Sequence, residues 1–169
     1  MSILNVSIIP CLSDNYTYLI HDKYNNKVIA VDPPVVEPIT TFLNKSNLNL
    51  DFILSTHHHA DHVDGNLELK KFYKCKIIGF EEDSHRIPGI DIKLKNHETW
   101  KFGNETVKIE HAPGHTSGHV FYHFQKNKLA FVGDIVFPMG CGRIFEGSAK
   151  EMHESVVKIK NLSDDTKIY

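Results

Sequence analysis

Cysteine is scarce in this 169-residue chain: Cys11, Cys75 and Cys141 are odd in number and far apart. No disulfide framework can rest on that set, so the fold needs a hydrophobic core and a reducing compartment is expected. Long apolar runs are missing too, and none approaches the roughly 18 residues of a membrane span. The opening MSILNVSIIPCLSDNY has no basic leader and meets Asp14 early, so it reads as a strand rather than a signal peptide. Together these place the chain in the cytoplasm, away from membranes. A formal net charge of -2 gives no basic field, so nucleic acid is not an expected partner. There is no G-x-S-x-G elbow, and MGCGR sets no base beside Cys141, so a covalent nucleophile is not expected. Repeats, low-complexity tracts and linkers are also lacking, which leaves one domain over residues 1–169. What the chain has in abundance is histidine, twelve of them, in an otherwise ordinary composition of 41% apolar and 24% charged residues.

The apolar pattern predicts short strands at ILNVSII, YTYLIHD and KVIAVDP, separated by Ser-Asp-Asn and Asn-Asn turn signals. VVEPITTFLNKS has helical spacing at Val36, Ile39, Phe42 and Leu43, and DFILS suits a strand buried on both faces. GNLELKKFYK reads as a helix with Leu67, Leu69, Phe72 and Tyr73 as its apolar positions, and CKIIGF as a strand. After Glu98 come TWKF, ETVKIEHAP, HVFYHFQ and KLAFVGD. A helix follows in SAKEMHESVVKIKNL, capped by Ser148 with Met152, Val156 and Ile159 on one face, and then the strand TKIY. This is an α/β layered fold, with sheets inside and helices outside.

STHHHADHVDG, Ser55 to Gly65, puts four histidines and two aspartates directly after the apolar DFIL. A solvated polar loop would rarely gather so many imidazoles. A helical zinc-protease motif would need Glu where His59 stands. The remaining reading puts the cluster at the C-terminal end of a buried strand, where α/β sheets collect ligands. In extended backbone His57 and His59 project to one side and can grip one metal. Asp61 and His62, past the turn, can grip a second. HAPGHTSGH adds His115 after another strand, and LAFVGD adds Asp134 after a third. Such imidazole and carboxylate donors suit zinc, iron or manganese. The free ring nitrogens of metal-binding histidines need partners, a role open to His58, His111 and His119, each of which can equally be an ordinary exposed or satisfied histidine.

THHHADH resembles the T-H-x-H-x-D-H signature of the metallo-β-lactamase superfamily. APGHTSGHVFY, GDIVFPMGCGRIFEG and LSDNYTYLI resemble the matching segments of glyoxalase II, the hydroxyacylglutathione hydrolases, so the resemblance covers essentially the whole chain. It implies a four-layer αββα sandwich with two divalent metals, zinc foremost and iron or manganese as alternatives. His57, His59 and His115 would bind one, Asp61 and His62 the other, and Asp134 both. The implied reaction is hydrolysis of S-(2-hydroxyacyl)glutathione, typically S-D-lactoylglutathione, to glutathione and D-lactate, the second step of methylglyoxal detoxification. Asp61 and Asp134 would be the catalytic carboxylates around a hydroxide bridging the metals.

The stretch CGRIFEG would hold the glutathione part through Arg143 and Phe145, Phe145 standing where some members carry tyrosine. The family continues past a strand like TKIY into a C-G-H-E-Y-T-like segment with a further ligand and then a helical substrate-binding region. The resemblance therefore implies a truncated domain, incomplete at its C-terminus, that holds its second metal weakly and has weak thioesterase activity. Persulfide dioxygenase, lactonase-type hydrolase and an inactive metal-binding fragment are the competing expectations, and the oligomeric state is left open.

Overall fold

The structure is a computed structural model that describes residues 4–169; Ile3, expected to open the first strand, lies outside the described residues. Strands β1 (Leu4–Cys11), β2 (Asn15–Asp22) and β3 (Lys27–Val31) pair antiparallel through short turns. From β3 onward the pairing is parallel, through crossovers that carry helices between β3 and β5 and an irregular connection between β5 and β6. Helix α1 (Glu37–Lys45) leads to β4 (Phe52–Leu54); α2 (Ala60–Val63) and α3 (Asn66–Tyr73) lead to β5 (Lys76–Phe80). Strand β6 (Ile92–Leu94) ends a six-stranded sheet ordered β1-β2-β3-β4-β5-β6.

The second sheet runs β11-β10-β9-β8-β7, from β7 (Thr99–Phe102), β8 (Glu105–His111), β9 (Val120–Phe124), β10 (Leu129–Phe131) and β11 (Lys167–Ile168). Helix α4 (Ala149–Lys160) precedes β11, which pairs parallel with β10. Alternation along the strands gives each sheet two apolar faces. The inner faces meet in a core that includes Ile29, Leu54, Phe80, Ile109, Tyr122 and Phe131. The outer face of the first sheet packs Ala30, Ile53 and Ile77 against Ile39 and Leu43 of α1 and Leu69 of α3. That of the second packs Phe121 and Ala130 against Met152 and Ile159 of α4. The order of layers is helix, sheet, sheet, helix, the fold expected.

Local chemistry agrees with the sequence at most ends. Pro38 sits in the first turn of α1, where a missing N–H costs nothing. Ser148 caps α4 in a reciprocal capping box, accepting from the Glu151 N–H while Glu151 accepts from the Ser148 N–H. Helix α3 departs from expectation. Asn66, Leu69 and Tyr73 share the inward face at helical spacing, and Leu67 and Phe72 fall off it, 57% and 63% exposed. Asn66 takes an inward place because its side-chain amide donates to Ser55 Oγ (3.2 Å), tying α3 to the end of β4. Strand β6 and the single-turn α2 were not anticipated; three and four residues are too few to show a period. Cys11 and Cys75 are buried, Cys141 is exposed, and all three are free thiols.

Candidate metal centre

Four strand ends open at one edge of the sandwich. After β4 the chain bends at Thr56 and His57, and His59 is extended (φ −60°, ψ 144°) where it caps α2, which carries Asp61 and His62. The loop after β8 brings His115, and a 3-10 turn after β10 (Gly133–Ile135) brings Asp134. The end of β3 delivers Asp32, with φ +50°, a left-handed conformation that aspartate tolerates better than most residues. Gly133, φ +51°, stands where a Cβ would lie 2.6 Å from Thr56 Oγ1 and 2.7 Å from His119 Nε2, so only glycine lets this turn close onto the site.

All six sequence-predicted ligands converge. His115 Nε2 lies 3.0 Å from His59 Nδ1, and the His57 ring centroid is 4.7 Å from that of His59 and 4.9 Å from that of His115. One donor atom from each of His57, His59 and His115 falls within a single 4.8 Å group. Alongside, His62 Nε2 lies 3.7 Å from Asp61 Oδ2 and 3.3 Å from Asp134 Oδ1. The other oxygen of Asp134 is 3.3 Å from His115 Nε2, so this carboxylate reaches both groups.

The far side of three of the four rings is already engaged. His57 Nδ1 is 3.1 Å from Thr56 Oγ1, His62 Nδ1 is 3.0 Å from Asp32 Oδ2, and His115 Nδ1 donates to the Arg143 carbonyl at 2.7 Å. These partners, rather than His58, His111 or His119, orient the rings. His58 turns away to Asp83, and His111 bonds the Ser117 carbonyl and stacks on Phe80. His119 stacks on His57 and accepts the Asp134 N–H. They stand too far along the backbone, or on the wrong face, to reach a ligand's outer nitrogen.

His57 Nε2 is buried without a partner, an expensive arrangement for a polar atom unless a cation takes its lone pair. Burial, then the neighbouring imidazoles, holds His57 well below the usual histidine range, so it is neutral, as a metal donor must be. Burial also works against charge on His62, yet hydrogen bonds to Asp134 and Asp32 push it up to about 10. That side of the site favours positive charge, and a proton and a metal ion would compete for it. A cluster of buried imidazoles and carboxylates of this kind fits divalent metal ions.

Three residues that the sequence reading missed support the cluster. Both oxygens of the buried Asp32 are taken, Oδ1 by the Thr56 N–H (2.7 Å), and Oδ2 by Thr56 Oγ1 (2.5 Å) and His62. Asp32 also groups with His57 and His62 within 4.8 Å, but both its oxygens already accept hydrogen bonds from Thr56 or His62, which suits it to orienting His62. Thr56 relays it to His57. Asn15 donates to Asp61 Oδ2 (3.0 Å) and to the Asp61 carbonyl (3.1 Å), fixing an otherwise exposed carboxylate. The acids and amides at the strand ends VDP and SDNY were the available signals.

Asp61, His62, His115 and Asp134 form the floor of a cleft of about 820 Å³, walled by Tyr16, Tyr18, Phe137, Arg143, Phe145 and Tyr169 among others. Phe145 sets its ring 5.4 Å from His59 and 5.3 Å from His115, and the Arg143 guanidinium lies over it at 5.7 Å. The two sequence-predicted substrate contacts are therefore at the cleft, facing the imidazoles.

Comparison with known proteins agrees with this architecture. The profile of the metallo-beta-lactamase superfamily matches residues 13–169. The chain is 46% identical over 166 residues to the hydroxyacylglutathione hydrolase of Pelagibacter ubique, covering 98% of this chain and 70% of that protein. It is 44% identical over 166 residues to the hydroxyacylglutathione hydrolase of Methylococcus capsulatus, covering 98% of this chain and 65% of that protein. It thus spans about two-thirds of the length of these relatives. Among solved structures, the BLEG-1 B3 metallo-beta-lactamase superposes with a TM-score of 0.88 at 24% identity, covering 97% of this chain and 90% of that one. With its signature loop, its four-layer sandwich and these relatives in accord, the chain belongs to the metallo-β-lactamase superfamily and, within it, to the hydroxyacylglutathione hydrolase family.

Proposed function

We propose that the chain is the metallo-β-lactamase-like catalytic domain of a hydroxyacylglutathione hydrolase. It cleaves the thioester of S-(2-hydroxyacyl)glutathione, S-D-lactoylglutathione in particular, to glutathione and a 2-hydroxy acid. In this reading His57, His59 and His115 hold one divalent ion, Asp61 and His62 a second, and Asp134 both. Zinc is the ion proposed; the same donors accept iron or manganese. When bound, such ions acidify water and polarise a carbonyl oxygen, the chemistry a thioester hydrolase needs at neutral pH.

The chain's own groups do the rest. Asp61, held by Asn15, presents a carboxylate oxygen that can accept a proton from an attacking water and aim it. Asp32 and Thr56 keep the His62 and His57 rings turned inward. Arg143 offers a planar fork that suits a glutathione carboxylate, and Phe145 gives an apolar surface but no hydroxyl. A thiol of ordinary pKa near 8.5 leaves readily as thiolate, so no strong general acid is required. Three free thiols suit a reducing compartment, and the cytoplasm is the location proposed. No helix among the described residues is long and apolar enough to cross a membrane.

The observation that carries this reading is Asp134, whose two oxygens each stand 3.3 Å from an imidazole of a different group. The test combines metal analysis with thioester hydrolysis. Chelation should abolish cleavage of S-D-lactoylglutathione, and zinc should restore it, with one ion per chain held firmly and a second held weakly. One iron per chain with oxygen consumption would instead indicate a dioxygenase.

A further inference from the structure

Outside the cluster just described, the connection between β5 and β6 holds an arginine whose donors tie its own connection to two other segments. Arg86 Nε donates to Asp83 Oδ1 (2.5 Å), Nη1 to Glu146 Oε1 (2.5 Å) and Nη2 to Ser117 Oγ (3.0 Å). Asp83 is buried, with its other oxygen 3.2 Å from His58 Nδ1 in the middle of the histidine loop. A side chain at Gly118 would collide with the Asp83 carboxylate, so the loop after His115 is shaped to admit this contact. Glu146 closes the circuit, its Oε2 accepting from the N–H and the Oγ of Ser117, both at 2.8 Å.

We propose that Arg86 is a positioning residue whose guanidinium fastens the segment carrying Arg143 and Phe145 to the loops carrying His57–His62 and His115. The proposal rests on the reading that Arg143 and Phe145 contact substrate. Phe145 is 59% exposed, and its ring meets only His59, His115 and Arg143 among the aromatic and cationic groups, so packing holds it on one side alone. Its backbone has one bond to the His115 carbonyl (3.1 Å), and that of Gly147 has one to the Gly114 carbonyl (3.2 Å). Between these two bonds, Glu146 is the residue whose side chain anchors the segment. An isolated surface ion pair would contribute little. Here one fork makes three charge-assisted or hydroxyl bonds around a buried carboxylate, a geometry lysine cannot reproduce. Arg86 does not line the cleft, so any effect on substrate must pass through Glu146 and the segment it holds.

The test uses zinc-loaded protein and steady-state hydrolysis of S-D-lactoylglutathione by Arg86→Lys, Glu146→Gln and Arg143→Ala. Arg86→Lys and Glu146→Gln should each raise KM about tenfold, the scale of one lost charge-assisted hydrogen bond. Turnover should stay within about threefold and metal content unchanged, since the hub touches no proposed ligand ring except through His58. Hydrogen exchange should quicken across residues 137–147 in both variants. Unaltered KM in these two, with KM raised in Arg143→Ala, would overturn the role of Arg86 and leave the substrate reading intact. Unaltered KM in Arg143→Ala, with faster exchange in Arg86→Lys, would retain the fastening and remove the substrate reading. Unaltered exchange, or loss of metal in step with the KM change, would overturn the proposal outright.

Discussion

The two walls of the cleft are built on opposite principles. On the floor, His57 is fully buried and His62 is 8% exposed, and His57, His62 and His115 each have the outer ring nitrogen engaged by Thr56, Asp32 or the Arg143 carbonyl. Across from it, residues 137–147 leave Phe137 43%, Met139 98% and Phe145 59% exposed. These three rings are over-determined, and each has essentially one orientation. The opposite wall is held by a few backbone bonds and one arginine. Groups proposed to hold a cation are locked by burial and hydrogen bonds, whereas groups proposed to meet a flexible tripeptide moiety are left adjustable. The difference predicts that damage to the floor reduces metal content and rate together, and damage to the wall reduces recognition.

The largest effect is expected at the floor. His57→Ala removes the ring at the centre of the imidazole cluster and should lower hydrolysis by more than 100-fold while the firmly held zinc is lost. The benchmark is the 10–100-fold typical of losing even a supporting partner. Metal analysis of the purified variant checks it, and full zinc occupancy with normal turnover would break the comparison. Asp32→Ala sharpens it. Asp32 touches no metal in this account, yet without it His62 and Thr56 lose their orienting acceptor. A 10–100-fold loss in metal affinity or activity is expected, read by competition with a chromogenic chelator.

How much of this was legible in the sequence follows from the same contrast. His57, His59, Asp61 and His62 are contiguous and follow an apolar strand, so one short window carries the signal. His115 and Asp134 were readable because each follows its own apolar run. Asp32 was not, because one acid after KVIAV looks like any turn residue and its partner Thr56 is 24 residues away. Arg86 was invisible for the same reason on a larger scale, with Glu146 lying 60 residues on. Apolar counting found helix α3 but misassigned Leu67 and Phe72, since period reveals that a helix has faces and not which polar residue claims the inner one. The roles of His58, His111 and His119 stayed open in the sequence because proximity to a ligand says nothing about which ring nitrogen a side chain can reach.

A smaller effect is expected at the wall. A hydrogen bond from Arg86 holds the Glu146 carboxyl at about 2, below its ordinary 4.5. A depressed carboxyl contributes stability that is present above the unfolded value and is lost as pH falls through the folded one. The Glu146→Gln variant and the parent should therefore differ in thermal stability above about pH 4.5 and converge as pH falls from there toward 2, followed by circular dichroism. A constant gap across that window would show the ion pair to be inert. The smallest effect belongs to neither wall. Ser148→Ala removes the cap of α4 and should cost about 1 kcal/mol of stability. Metal content and KM should be unchanged, as denaturant titration and kinetics would show together.

The central claim is that two groups of side chains share one carboxylate and hold two metal ions. Anomalous diffraction from zinc-loaded crystals tests it directly. The account predicts two zinc peaks, a strong one against His57, His59 and His115 and a weaker one, growing with zinc concentration, against Asp61 and His62, with Asp134 in contact with both. A single peak, or two peaks with Asp134 turned away from either, would contradict it.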